Sequence, residues 1–202
     1  MNLGNDARFC EPSSEQSVQR DSNHERRMIV LIGLMGSGKT TVGRTLASKL
    51  NLRFADSDEA VEKTAKISVR EIFARDGEAA FRQLESQALA ALCAGKSAMV
   101  LAVAGGAIVA EANRELLQRN ARCIVWLDAP TTTLVLRTGR GRHRPLLDGD
   151  PVGSLNKMRK DREDIYQQLA THHIFTQSLS INAVVSEIIV KCKLSLVDKV
   201  SK

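Results

Sequence analysis

The chain has 202 residues, with 29 Lys and Arg against 23 Asp and Glu and a net charge of +6, which bounds it to one compact domain and points to anionic partners. Aromatic residues are only 3% of the chain, with one Trp and one Tyr, so a base-stacking surface for nucleic acid is not expected and small anions are favoured. No apolar run approaches the roughly twenty residues needed to cross a bilayer, so no membrane segment is expected.

Residues 1–27 are polar, mix acids with arginines and hold no apolar stretch. They read as a disordered tail rather than a secretory or transit signal, which leaves 28–202 as the folded domain. The four cysteines, Cys10, Cys93, Cys123 and Cys192, are scattered and form no C-x-x-C pair, as expected of thiols in a reducing compartment such as the cytoplasm.

From Met28 onward, short apolar runs alternate with helical patterns, the signature of α/β units on a parallel sheet. Strands are expected at 28–32, 53–55, 99–103, 122–127 and 173–175. Helices are expected at 39–50, 58–64, 69–76, 78–94, 111–120, 131–138 and 152–171, with 183–196 closing the chain. In such a sheet the site lies beyond the carboxyl ends of the strands.

The first strand runs into Gly33-Leu34-Met35-Gly36-Ser37-Gly38-Lys39-Thr40, which fits the phosphate-loop pattern G-x-x-x-x-G-K-[ST] between a strand and a helix. Backbone N–H groups of Gly36, Ser37 and Gly38 and the helix N-terminus are suited to phosphate. Lys39 would reach the β/γ-phosphates, and the Thr40 hydroxyl would meet Mg²⁺.

The second strand runs into Asp56-Ser57-Asp58. Phosphoryl transfer to a hydroxyl needs a carboxylate to take or orient the acceptor proton, and a second can hold the metal through water. Asp58 also suits the N-cap of the next helix, alongside or instead of such a role. Further on, Phe81, Leu84, Ala88 and Leu92 are expected to form the core face of a helix, with Arg82 at its edge. Arg82 and Glu85, three apart, could equally be an ordinary surface pair. The third strand ends in Ala104-Gly105-Gly106, and four arginines crowd positions 137–144 with two glycines. That last stretch could be a solvated loop or an RNA patch, but beside a phosphate site it reads as a lid supplying charge.

Taken in order, G-L-M-G-S-G-K-T, D-S-D, F-R-x-x-E, the Gly-Gly turn, R-P-L-L and R-x-x-x-Y resemble the shikimate kinase family. The resemblance covers about residues 28–196 and implies a three-layer αβα P-loop kinase fold of the nucleoside-monophosphate-kinase type. It implies a five-stranded parallel sheet of order 2-3-1-4-5 and a lid at about 139–149. The implied reaction moves the γ-phosphoryl of ATP to the 3-hydroxyl of shikimate, with Mg²⁺ as cofactor, no nucleic-acid partner and a monomer as the default. By the same resemblance Gly36, Ser37, Gly38, Lys39, Thr40, Thr41, Arg137 and Arg144 serve the nucleotide, with Arg137 against adenine and Arg144 reaching the transferred phosphate from the lid. Thr40 and Asp56 serve the metal. Asp58 binds ring hydroxyls and is the candidate base, while Arg82 and Arg162 clamp the carboxylate. Glu85 orients Arg82, and Gly105 and Gly106 offer N–H groups.

Three features depart from the family pattern. Ala104 stands where a third glycine is usual and is expected to crowd the turn; Glu163-Asp164 set two acids beside Arg162; and the tail before Met28 is long. The first two bear on acceptor affinity rather than reaction type. A gluconate or cyclitol kinase on the same fold, or a nucleotide-binding homologue without turnover, are the alternatives.

Overall fold

The computed structural model describes residues 27–139 and 149–195. Apart from its boundary positions, the expected lid lies outside these residues, with Arg144 in it, as do positions 1–26 of the expected tail.

The first strand, β1 (Met28–Ile32), is apolar throughout and buried at all five positions, as a strand covered on both faces must be. It lies at the centre of a five-stranded parallel sheet of order β2-β3-β1-β4-β5, the order implied by the resemblance. The other strands are β2 (Arg53–Asp56), β3 (Met99–Ala102), β4 (Ala121–Asp128) and β5 (His172–Phe175). Among the described residues the helices are α1 (Lys39–Leu50), α2 (Ser57–Ala65), α3 (Val69–Ala94), α4 (Glu111–Asn120), α5 (Thr131–Thr138), α6 (Pro151–Leu169) and α7 (Ile181–Lys191). A short 3₁₀ turn, Ala107–Val109, was not anticipated.

Alternation along β1 divides the core. Met28, Val30 and Ile32 face one layer with Leu117, Leu134, Leu155 and Tyr166. Ile29 and Leu31 face the other with Leu46, Val184 and Ile188. Helices thus cover both faces, giving three layers. A smaller cluster of Val61, Ile72, Phe81 and Ala88 joins α2 to α3 at the edge of the fold.

The helices expected at 69–76 and 78–94 are the two halves of α3, divided at Gly77, where φ 78 and ψ 177 leave the helical region. Helix α6 ends two residues before its expected limit because Thr171 turns to the sheet, its N–H donating to the Ile124 carbonyl at 2.8 Å. The last helix begins earlier than expected because the Ser180 hydroxyl caps it, accepting from the Ala183 N–H. The core face of α3 also differs. Glu85, Leu89 and Cys93 are buried with Phe81 and Ala88, whereas Leu84 and Leu92 are only half-buried. Burial of Glu85 in place of Leu84 is made possible by its ion pair with Arg82. Cys93, Cys123 and Cys192 are free and buried.

Candidate active site

β2, β3 and β1 are neighbours, so the loops at their carboxyl ends share one rim. There a cleft of about 560 Å³, within the size range of small-molecule sites, brings together most of the sequence-expected residues. Gly36, Ser37, Gly38, Lys39, Thr40 and Thr41 form one wall. Asp56, Asp58, Arg82, Glu85, Gly105 and Gly106 form another, with Arg137 and Arg162 also lining the space.

The phosphate loop depends on backbone shape. Gly36 has φ +83, and a Cβ there would lie 2.8 Å from the Leu134 carbonyl oxygen, so only glycine fits. Lys39 Nζ donates to the Gly33 and Leu34 carbonyls at 2.9 and 3.2 Å. This ties the lysine head to the loop. The Ser37 hydroxyl is buried in the loop without a hydrogen-bond partner among the described residues.

Asp56 is the hub of the second strand end. Its Oδ2 accepts from Thr40 Oγ1 at 2.8 Å, and its Oδ1 accepts from the Asp58 N–H at 3.0 Å. Asp56 is therefore the N-cap of α2, which corrects the alternative of Asp58 as cap. The helix starts one residue earlier than expected, at Ser57, and the cap moves with it. Freed of capping, Asp58 turns its side chain to the cleft. Although water reaches it, protein surrounds it on most sides, and that desolvation, aided by the Asp56 charge, raises its pKa from 3.8 to about 6 against the pull of Lys39. Thr40 and Asp56 present paired hard oxygens beside the loop, a donor set suited to Mg²⁺ completed by phosphate oxygens and water. Among the described residues no cluster of three His, Cys, Asp or Glu could hold a metal by itself.

Arg82 is not an ordinary surface pair. Its Nη1 donates to Glu85 Oε2 at 2.9 Å, and the Glu85 side chain is 1% exposed. Burial pushes the Glu85 pKa from 4.5 up to about 7 despite Arg82, and its Oε1 has no partner among the described residues. The guanidinium lies on Gly106, where a Cβ would stand 2.0 Å from Nη1. A Cβ on Gly105 would meet the Tyr166 hydroxyl at 2.8 Å and Arg162 Nη1 at 3.3 Å. Both glycines therefore allow close approach of arginines from two different helices.

Ala104 does not crowd the turn. Its backbone φ is not positive, and its N–H donates to the buried Ser57 hydroxyl at 2.8 Å. Glu163 and Asp164 follow Arg162 on α6, and neither lines the cleft, because successive helical residues point about 100° apart.

Beside the phosphate loop, Arg137 donates from Nη1 to Thr176 Oγ1 at 3.1 Å and from Nη2 to the Thr176 carbonyl at 2.9 Å. The segment after β5 supplies the rest of that wall with Leu179 and Ile181, two partly exposed apolar residues that no motif in the sequence marked. Phe73 and Glu62, which also line the cleft, were likewise unanticipated.

Below the rim, Trp126 stacks on Tyr166 with ring centroids 5.5 Å apart and on its cross-strand neighbour His173 at 4.0 Å. The nearby Asp128 carboxylate accepts from Arg159 at 3.0 Å. These contacts fasten α6, and with it Arg162, to β4.

Residues 35–193 match the sequence profile of the family described as shikimate kinase. A shikimate kinase of Symbiobacterium thermophilum is 46% identical over 166 residues, 81% of this chain and 94% of that protein. One from Bordetella avium is 42% identical over 81% of this chain and 78% of that protein. Among solved structures, shikimate kinase from Acinetobacter baumannii in complex with shikimate superposes with a TM-score of 0.78 at 36% identity, covering 84% of this chain and 96% of that one.

Proposed function

From the match over residues 35–193 the chain belongs to the shikimate kinase family, and we infer that it transfers the γ-phosphoryl of ATP to the 3-hydroxyl of shikimate, giving shikimate 3-phosphate and ADP. The observation that carries this beyond ATP-dependent kinase chemistry is the convergence of Asp58, Arg82 and Arg162 on one cleft with the phosphate loop. Two guanidiniums match a carboxylate; a cyclitol has none, so a cyclitol kinase would have no use for the pair.

In the reaction the acceptor oxygen attacks the γ-phosphorus, the bond from that phosphorus to the β,γ-bridging oxygen breaks, and ADP leaves. Asp58 accepts the proton of the attacking hydroxyl. With its pKa near 6, it is mostly ionised at neutral pH yet basic enough to take a proton. Lys39 and the loop N–H groups offset the β/γ-phosphate charge. The nucleotide base lies between Arg137 and the wall of Leu179 and Ile181. Thr40 and Asp56 would hold Mg²⁺, which supplies charge neutralisation on the phosphates when bound. Arg82 and Arg162 grip the shikimate carboxylate, and the Gly105 and Gly106 turn lets both reach it. The unpartnered Oε1 of Glu85 is left to accept from a donor of the acceptor. The enzyme works as a cytoplasmic monomer.

An ADP-release assay with Mg·ATP and a panel of shikimate, quinate, gluconate, a cyclitol and water tests this. Turnover that depends on shikimate is the expected result. Turnover with the cyclitol alone would keep the phosphate site and remove the carboxylate clamp, whereas turnover with gluconate alone would keep the clamp and overturn shikimate as its acceptor.

A further inference from the structure

A guanidinium can grip a carboxylate with two parallel bonds along either of two edges, the lateral Nε/Nη2 edge or the terminal Nη1/Nη2 edge. In Arg82 these edges are not equivalent. Nε and Nη2 both donate to one oxygen, Oε1 of Glu78, at 3.2 and 2.9 Å. The lateral edge is thereby occupied. Nη1 donates to Glu85, and Gly106 lies against the group, so the fork is held from three directions. One N–H on Nη1 and one on Nη2 remain for an incoming carboxylate.

Glu78 does not line the cleft, and its side chain is 60% exposed. By exposure alone it would be a surface residue worth little. Its position says otherwise: it is the first residue after the break at Gly77, one turn before Arg82, where the resumed helix presents it to the guanidinium.

We propose that Glu78 is a positioning residue that, by occupying the lateral edge of Arg82, turns the remaining N–H groups of Nη1 and Nη2 to the acceptor carboxylate and so sets acceptor affinity. This rests on the assignment of Arg82 to the shikimate carboxylate made above. It is the opposite of a competitor role, in which Glu78 would hold Arg82 away from substrate and its removal would tighten binding.

The test is steady-state kinetics on the full chain for wild type, Glu78→Ala, Glu78→Gln, Arg82→Ala and the Glu78→Ala/Arg82→Ala double variant. Glu78→Ala is expected to raise KM for shikimate roughly 5- to 10-fold, with kcat and KM for ATP within about twofold. Glu78→Gln keeps an oxygen that can accept from both N–H groups and should recover KM to within about twofold of wild type. In the Arg82→Ala background the Glu78→Ala change should have no further effect. An unchanged or lowered KM in Glu78→Ala, a glutamine variant as impaired as the alanine one, additive effects in the double variant, or equal losses for both substrates would each overturn the proposal. Wild type that turns over no shikimate defeats the functional assignment and this inference together, whereas active wild type with a silent Glu78→Ala defeats the inference alone.

Discussion

The two halves of the cleft are built in different ways. The phosphate side is one continuous segment, β1, loop and α1, and its working parts are backbone groups fixed by glycine geometry. The acceptor side is assembled from the ends of β2 and β3 and from α3 and α6, and its working parts are charged side chains held by other side chains. The difference teaches where each half is vulnerable. A contiguous backbone cradle fails only when its own few residues change, while a clamp of side chains can be weakened from residues that never meet a ligand.

The largest effects should come from the groups that act on the transferring phosphoryl. Lys39→Ala and Asp58→Asn should each lower kcat by about 100-fold or more with unchanged circular dichroism; near-normal turnover in Asp58→Asn would remove it as base. Next, Arg82→Ala should raise KM for shikimate about 10- to 100-fold through loss of charge-assisted bonds, with KM for ATP little changed. Comparable shifts for both substrates would erase the distinction between the halves. A smaller loss is expected from Gly106→Ala, whose Cβ would meet Arg82 Nη1 at 2.0 Å. The long side chain can retreat, so a KM increase of roughly 5- to 10-fold without a change in thermal stability is the signature of a displaced guanidinium. A fall in melting temperature instead would place the damage in the turn.

The smallest effect is on stability and concerns Asp58. Its pKa is raised in the folded chain from 3.8 to about 6, so the fold holds that proton more tightly than the unfolded chain does. Stability contributed this way is present below pH 3.8 and is lost as pH rises through about 6. Asp58→Asn removes the loss. Its denaturant midpoint should therefore improve relative to wild type as pH is raised from 4 to 7, while wild-type turnover falls as pH drops through about 6, where the base becomes protonated. A midpoint difference that is flat with pH would mean that Asp58 is as well solvated as in the unfolded chain.

The same contrast explains what could be read from sequence. The phosphate loop is local in the chain, so its pattern, its flanking strand and all of α1 were legible, and the helices Glu111–Asn120 and Thr131–Thr138 were bounded as expected. The family motifs also marked Asp58, Arg82 and Arg162, which the fold brings to one cleft. Relations between side chains were not legible. Apolarity alone put Leu84 on the core face, because nothing local announced that Glu85 would be buried with Arg82 as its partner. Either aspartate of D-S-D satisfies N-cap preferences, and only the start of α2 decided for Asp56. The wall of Thr176, Leu179 and Ile181 carries no motif, since an apolar surface can take many sequences. Glu78 escaped for a similar reason: a carboxylate four residues before an arginine is a common helical pair, and its meaning depends on which edge of the guanidinium it meets.

Trp126 and Tyr166 are the chain's one tryptophan and one tyrosine, and they are in stacking contact. Light absorbed by the phenol passes readily to the indole over that separation, so the native emission reports on a single spot. That spot lies under α6 one turn from Arg162, with the indole 4% exposed and His173 stacked against it. The enzyme thus carries a built-in optical gauge at the junction of β1, β4 and α6, readable without a label.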